Sequence, residues 1–179
     1  MALLPSLLVI LAGGLLFGGV VHFGRRKPGY RHLQHTLSEL GETGAPDQGP
    51  VAWGLFLPVG LLVLAAGLRA PGPAAPLAFC LATGYLGAVA FPCDPGSPAS
   101  GTWRQGLHNL AGGVEYVGGG LVLLRLGQGG WSLGTWAGAA VLGVAGALTL
   151  LPTSPARGLI QRFAELLLFG TLALRLLPA

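Results

Sequence analysis

The chain has 179 residues, of which 52% are hydrophobic and only 9% are charged. Soluble domains carry about 25% charged residues, so this chain lacks the charge needed to cover a water-facing surface. Its net charge of +4, from ten Lys and Arg against six Asp and Glu, fits the positive-inside bias of a membrane protein and argues against nucleic-acid binding. Two cysteines, Cys80 and Cys93, give no disulfide framework.

Six apolar segments follow one another along the chain, each about long enough to cross a hydrocarbon core of roughly 30 Å. They cover residues 2–23, 51–68, 74–92, 107–126, 131–151 and 157–177. No basic residue precedes the first segment, so we expect a retained span and not a cleaved signal peptide. The sequence therefore predicts an all-α fold, in which residues 1–179 form a single domain with six transmembrane helices.

Successive spans alternate in direction, so the connecting segments fall on two faces of the bundle. We call X the face that receives residues 24–50, 93–106 and 152–156, and Y the face that carries both termini. Of the ten basic residues, three lie on or near Y: Arg69, Arg125 and Arg175. The other seven lie on or near X: Arg25, Arg26, Lys27, Arg31, Arg104, Arg157 and Arg162. The expected location is the inner (plasma) membrane of the cell. The charge bias predicts that X is its cytoplasmic face and that both termini lie on the outer face.

Acidic residues and histidines are confined to the half of the bundle nearer to face X. The acidic residues are Glu39, Glu42, Asp47, Asp94, Glu115 and Glu165, and the histidines are His22, His32, His35 and His108. Charge that served solubility alone would have no reason to segregate in this way. The asymmetry predicts a polar site at the X end of an apolar bundle.

The first X-side segment predicts a short amphipathic helix over residues 30–41, lying at the membrane surface. Nothing in this segment breaks a helix before Gly41. One face of the helix would carry His32, His35 and Glu39, and another would carry Leu33, Leu37 and Leu40. Two imidazoles and a carboxylate at this spacing can ligate a divalent metal, although the spacing is not a standard metal motif and such a face is usually just solvated.

A rigid turn follows the third span. Pro92 and Pro95 flank Asp94 and stop the helix, which holds the carboxylate at the X rim. Such an aspartate suits a ligand or a general base, and it equally suits an ordinary turn.

The fourth span opens at His108-Asn109 and carries Glu115 seven residues deeper, about 10 Å along the helix. A carboxylate at that depth should face the bundle interior and have a partner. Arg162 and Glu165 on the sixth span lie at a similar depth, so an ion pair of Arg162 with Glu115 or Glu165 is expected. The same residues would serve equally as a structural lock between spans four and six.

Several short strings together resemble the DUF998 family of prokaryotic six-span membrane proteins. They are Tyr30-x-His32, Ser38-Glu39-Leu40-Gly41, Gly44-Ala45-Pro46, Phe91-Pro92-Cys93-Asp94 and His108-Asn109. The resemblance covers essentially the whole chain and implies fold and topology, but no reaction, because the family's function is not established. It marks as motif positions His32, Ser38, Glu39, Asp94 and His108.

Two functions are compatible with these residues. In the first, the protein is a hydrolase that acts on a lipid or another amphiphile at the X face. His32, Asp94 and His108 would bind a divalent metal such as zinc, or serve as acid and base, with Ser38 and Glu39 assisting.

In the second, the protein binds a lipid headgroup, an ion or a partner membrane subunit without catalysis. Arg157 and Arg162 would hold a phosphate, and Glu115 and Glu165 would complete the ligand site. Buried carboxylates are also parts of proton relays, and transport by so short a unit would require a homodimer. Both functions make membrane lipids the expected partners.

Overall fold

The computed structural model describes residues 3–70 and 72–177, and within these ranges all regular structure is helical. The long helices are α1 Leu4–Arg26, α2 Gln48–Gly67, α3 Gly72–Ala90, α4 Trp103–Gln128, α5 Ser132–Leu150 and α6 Arg157–Arg175. Their order is the one predicted from the apolar segments. Helices α1 to α5 are long and apolar enough to cross a membrane, whereas every 18-residue stretch of α6 contains three charged residues. Residue 2, the predicted start of the first span, lies outside the described ranges.

Several helices continue beyond the apolar segments that predicted them. Helix α1 runs on to Arg26, and α4 begins at Trp103, ahead of the predicted residue 107. Thr102 caps α4 because its hydroxyl accepts the backbone N–H of Gln105 at 3.4 Å. A helix continues as long as its backbone hydrogen bonds continue, whether its side chains are apolar or polar. The apolar segments therefore underestimate the length of α1 and α4.

The six helices form a closed ring. Each packs against the next in chain order, and α6 packs against α1 as well as α5. Fully buried apolar side chains fill the ring, among them Leu16, Val59, Leu77, Leu123 and Leu168.

Large apolar side chains also cover the outside of the ring. Leu11 is 59% exposed, Leu61 48% and Trp136 76%. On α6 the exposed residues include Leu166, whereas its neighbour Glu165 is only 1% exposed. An apolar exterior with charged groups turned inward is the arrangement that a bilayer selects.

The X-side segment between α1 and α2 differs from the predicted amphipathic helix. Residues 30–37 form turns, followed by a 3₁₀ turn at Ser38–Gly41. Leu37 and Leu40 are buried in the core as expected, but Leu33 is 60% exposed. The backbone finds partners on α6 instead of within a helix, since the carbonyl of Leu33 accepts the N–H of Leu159 at 3.0 Å. The segment thereby caps the X end of the ring.

Candidate functional site

A cavity of about 360 Å³ lies at the X end of the ring. Its walls come from residues 36–38 of the capping segment, from the 97–99 loop and from helices α2 to α6. Polar side chains on these walls include Ser38, Tyr85, His108, Glu115, Tyr116, Arg157, Gln161 and Glu165. This volume lies within the usual range of small-molecule sites, about 300–1,000 Å³.

At the outer end of the cavity, His108 connects α4 to the capping segment. Its Nδ1 lies 2.9 Å from the carbonyl oxygen of Phe91, and its Nε2 lies 3.1 Å from Oγ of Ser38. Because a carbonyl only accepts hydrogen bonds, Nδ1 must carry the proton in the neutral imidazole. Nε2 therefore accepts the hydroxyl proton of Ser38, which is the arrangement of a serine nucleophile beside its base.

The local sequence explains why the Phe91 carbonyl is free to hold His108. Helix α3 ends at Ala90, so the last carbonyls of the helix have no partner farther along the chain. Pro92 follows and has no backbone N–H to offer. His108 lies in the second turn of α4, where its ring reaches this carbonyl, and the residue is 9% exposed.

Deeper in the cavity, Glu165 forms the centre of a hydrogen-bonded network. Its carboxylate accepts the hydroxyls of Tyr85 at 2.7 Å and Tyr116 at 2.5 Å. Gln161 donates to the Tyr116 oxygen at 2.9 Å, and its own amide oxygen accepts the N–H of Leu37 at 2.7 Å. The network ties three helices and the capping segment together around one buried carboxyl group.

Glu115 of α4 lines the same cavity, but it lacks such hydrogen bonds. It is 6% exposed, and no described residue offers a hydrogen-bond partner to its Oε1. Gly84 of α3 faces it, and a Cβ on that glycine would overlap the Glu115 carboxyl group. Glu115 and Tyr116 also fall within a π-helical turn of α4, Val114–Gly118, a feature that is frequent at functional sites.

Arg162 does not pair with Glu115 or Glu165, contrary to the sequence prediction. Its Nη1 donates to the carbonyls of His32, His35 and Gly158, and its Nη2 donates to the Tyr30 hydroxyl at 2.6 Å. These hydrogen bonds hold the capping segment to α6, and the two glutamates face the cavity without Arg162.

His32 and Tyr30 belong to this Arg162 cluster and lie outside the cavity. Nδ1 of His32 is 3.2 Å from Nη2 of Arg162. Burial and the neighbouring charges of Arg162 and Arg25 lower the pKa of His32. Burial raises the pKa of Tyr30 to about 12, against the opposing charge of Arg162.

Asp94 organises the loop that leads into α4. It accepts the backbone N–H of Thr102 at 2.7 Å and the Thr102 hydroxyl at 2.8 Å. These hydrogen bonds lower the pKa of the Asp94 carboxyl. Asp94 thus makes the hydrogen bonds of a turn residue, and it does not line the cavity.

Glu39 and Arg157 face each other at the X end of the bundle, where both side chains are largely buried. The Glu39 carboxylate accepts the Thr36 backbone N–H at 2.8 Å and lies 3.9 Å from Nη1 of Arg157. Arg157 donates to the carbonyls of Gly96 and Ser97, while its buried Nε finds no partner among the described residues. Arg157 also lines the cavity, and it is the one Lys or Arg side chain among the described lining residues.

The predicted three-ligand metal site is not assembled. His32 contacts Arg162, Asp94 contacts Thr102 and His108 contacts Ser38, so the three side chains occupy separate environments. Within the described ranges, no group of three or more His, Cys, Asp or Glu side chains is placed to hold a metal ion, which includes the alternative set of His32, His35 and Glu39. That set depended on a helix which the chain does not form.

Of the motif positions, the structure brings Ser38 and His108 together and leaves His32, Asp94 and Glu39 outside the cavity. Sequence reasoning did not find Tyr85, Tyr116 and Gln161. The signal available was their polarity within apolar spans, where polar side chains generally find partners inside the bundle.

The apolar exterior, the long helices and the inward-facing charged groups define this chain as a multi-pass helical membrane protein. The chain belongs to the family described as Protein of unknown function (DUF998), whose model matches residues 10–176. No curated protein matches the chain. No solved structure matches it either.

Proposed function

We propose that this protein is a membrane-embedded serine hydrolase that cleaves an ester or amide bond of an amphiphile. The observation that carries the proposal is the hydrogen bond from Ser38 Oγ to Nε2 of His108, on the wall of a cavity large enough for a small ligand. A serine hydroxyl alone is a weak nucleophile, and an adjacent base that accepts its proton is the usual means of activation. The metal-dependent version of the hydrolase has no support in the arrangement of the described residues.

In the proposed reaction, Ser38 Oγ attacks the carbonyl carbon of the substrate while His108 Nε2 takes the hydroxyl proton. The imidazolium then gives this proton to the leaving alcohol or amine, and an acyl-serine remains. Water, deprotonated by the same nitrogen, then attacks the acyl carbon. The imidazolium returns this proton to Ser38 Oγ as the carboxylic acid leaves. The Phe91 carbonyl holds the His108 ring in the tautomer that the first step needs.

Arg157 supplies the positive charge in this proposal. Its Nε is a buried donor with no partner among the residues described, and its side chain lines the same cavity. A donor left free in this way suits an oxyanion that develops during acyl transfer. Its other nitrogens are fixed by the carbonyls of Gly96 and Ser97, which limits the cost of reorganisation.

The experiment uses a lipophilic fluorophosphonate, which forms a covalent bond with activated serines. We expect the purified protein to be labelled at Ser38 and to hydrolyse a 4-nitrophenyl ester of a long-chain fatty acid. Ser38→Ala should abolish both, and His108→Gln should lower both by about 100-fold or more, the usual contribution of a general base. Thr149→Val is the matched control, because Thr149 lines the same cavity and its hydroxyl donates only to the Ala145 carbonyl of its own helix.

Thermal unfolding of each variant separates a chemical effect from misfolding. If Ser38→Ala is labelled and hydrolyses the ester as well as the unsubstituted protein does, the hydrolase proposal is wrong. If only the folding of the variants changes, the hydrogen bond between Ser38 and His108 is structural and the proposal is equally wrong.

Glu115 supports a second candidate function, the binding or relay of protons within the cavity. A buried carboxyl group without a partner in a membrane bundle is characteristic of such relays. In liposomes with an entrapped pH-sensitive dye, Glu115→Gln should abolish a proton flux that Ser38→Ala leaves intact. Equal flux through both variants would contradict this second candidate.

A further inference from the structure

Helices α4 and α5 pack closely over the Y half of the bundle. A Cβ on Gly138 would lie 2.7 Å from the carbonyl oxygen of Gly120, and a Cβ on Gly134 would lie 2.7 Å from that of Leu123. Only glycine allows two helix backbones to approach so closely. This contact leaves no path into the ring between the Y halves of the two helices.

The same helices diverge towards the X face. The packing of α4 against α5 is concentrated in Gly119–Gln128, and the first part of α4, Trp103–Gly113, has no comparable contact with α5. Within the described chain, a Cβ on Gly112 or Gly113 would meet no atom within 4 Å apart from its chain neighbours and the backbone of its own helix. The two helices therefore enclose a gap that narrows towards Y.

This gap belongs to the cavity that contains Ser38 and His108. The cavity is lined on α4 by Gly112, Gly113 and Val117, and on α5 by Ala145, Leu148 and Thr149. The lining is apolar apart from Thr149, whose hydroxyl donates to the Ala145 carbonyl within its own helix. The buried polar groups of the cavity, such as His108, Glu115 and Glu165, lie farther inside.

The surface on either side of the gap faces the bilayer. Leu110 is 64% exposed, Val114 37% and Val117 45% on α4, and Leu150 is 78% exposed on α5. An opening in such a surface is next to acyl chains rather than water. The apolar walls of the gap suit the acyl chain of an amphiphile, and the polar interior of the cavity suits its polar part.

We propose that the gap between α4 and α5 is a lateral entrance from the bilayer, occupied by an acyl chain of a membrane lipid whose polar part reaches Ser38 and His108. The inference deepens the proposed function by naming a long-chain acyl lipid as the substrate class. The entrance itself is inferred from the packing of α4 and α5. A lipid can bind there without being hydrolysed, so the entrance can be tested separately from the hydrolase.

The test is photo-crosslinking in phosphatidylcholine nanodiscs that contain a phosphatidylcholine with a diazirine on one acyl chain. Glu115 and Tyr116, which are 6% and 7% exposed, cannot be reached by lipids that only surround the ring. We expect a crosslink on these residues in the unsubstituted protein and in Ser38→Ala. Gly113→Leu fills the gap and should lower this crosslink by about tenfold or more, equivalent to about 1.4 kcal/mol.

Gly143→Leu is the matched control, because Gly143 also has open space around it, lies on α5 and does not line the cavity. Ala145→Leu narrows the gap from the opposite wall and replaces Gly113→Leu if that variant does not fold. Crosslinks confined to outward-facing residues, or an equal yield in Gly113→Leu and Gly143→Leu, would overturn the entrance. Buried crosslinks together with a failure of all Ser38 labelling would remove the hydrolase and leave the entrance standing.

Discussion

The carboxyl group of Glu165 shows how single side chains hold the interior of this bundle together. It accepts hydroxyls from two helices, and the Gln161 amide extends the network to the capping segment. A typical hydrogen bond stabilises a fold by about 0.5–1.5 kcal/mol, and about 1–3 kcal/mol is lost when removal of one partner leaves the other buried and unsatisfied.

We therefore expect Tyr85→Phe and Tyr116→Phe each to lower the free energy of unfolding by about 1–3 kcal/mol. Tyr116→Phe should cost more, because it also removes the acceptor of Gln161. Chemical unfolding in detergent, followed by tryptophan fluorescence, measures both. In a Glu165→Leu background the cost of Tyr85→Phe should largely vanish, and full additivity would contradict this account.

The reactivity of the Cys93 thiol tests whether this single side chain is buried. It is 1% exposed, and burial raises the pKa of its thiol to about 12, so almost no reactive thiolate exists at neutral pH. In a Cys80→Ala background, the folded protein should not react with N-ethylmaleimide on a timescale of hours, and detergent-denatured protein should react fully. Stoichiometric modification of the folded protein at neutral pH would show that the loop before Asp94 is open.

Individual residues were predictable to the extent that the local sequence dictates their position. The pairing of Ser38 with His108 joins motif positions 70 residues apart, which the shared X-side location made plausible but could not specify. The expected ion pair of Arg162 failed because depth along a helix says nothing about rotation around it. The carbonyls of the capping segment turned out to be the nearer partners.

At the scale of elements, the capping segment depends on Arg162 more than on its own helical propensity. One guanidinium bridges the carbonyls of His32 and His35 to α6 and also donates to Tyr30. Order in residues 30–36 is thus a property of contacts with α6, which a pattern confined to the segment could not reveal. The long helices were predicted correctly in order because twenty apolar residues identify a span without any tertiary information.

Arg162→Lys should loosen the capping segment, because an ammonium group is a compact point charge and lacks the planar fork that reaches several acceptors at once. We expect trypsin to cleave after the exposed Arg31 faster than in the unsubstituted protein, with the rate measured by mass spectrometry. Arg175→Lys changes an exposed residue at the opposite end of the same helix and should leave this rate unchanged. An unchanged rate in Arg162→Lys would mean that other contacts hold the segment.

At the scale of the whole molecule, the closed ring gives α6 a place between α1 and α5 that its composition alone does not reveal. Its Arg162 and Glu165 turn inward while Leu159 and Phe163, 52% and 50% exposed, face outward. We propose that α6 is the sixth span and that X is cytoplasmic. Part of the positive charge at X is engaged in fixed contacts, such as the ion pair of Arg26 with Asp47 at 2.8 Å, but the basic excess remains on that face.

Reporter fusions decide both parts of this topology. Alkaline phosphatase is active only outside the cytoplasm and green fluorescent protein fluoresces only inside it. We expect phosphatase activity for a fusion after Arg69, fluorescence for a fusion after Ser154, and phosphatase activity again for a fusion at the C-terminus. If α6 does not cross, the C-terminal fusion reports the same side as the fusion after Ser154, whereas a reversed orientation inverts all three reports. The C-terminal fusion therefore separates six crossings from five, and the fusion after Arg69 settles the orientation independently, because it precedes the helix in question.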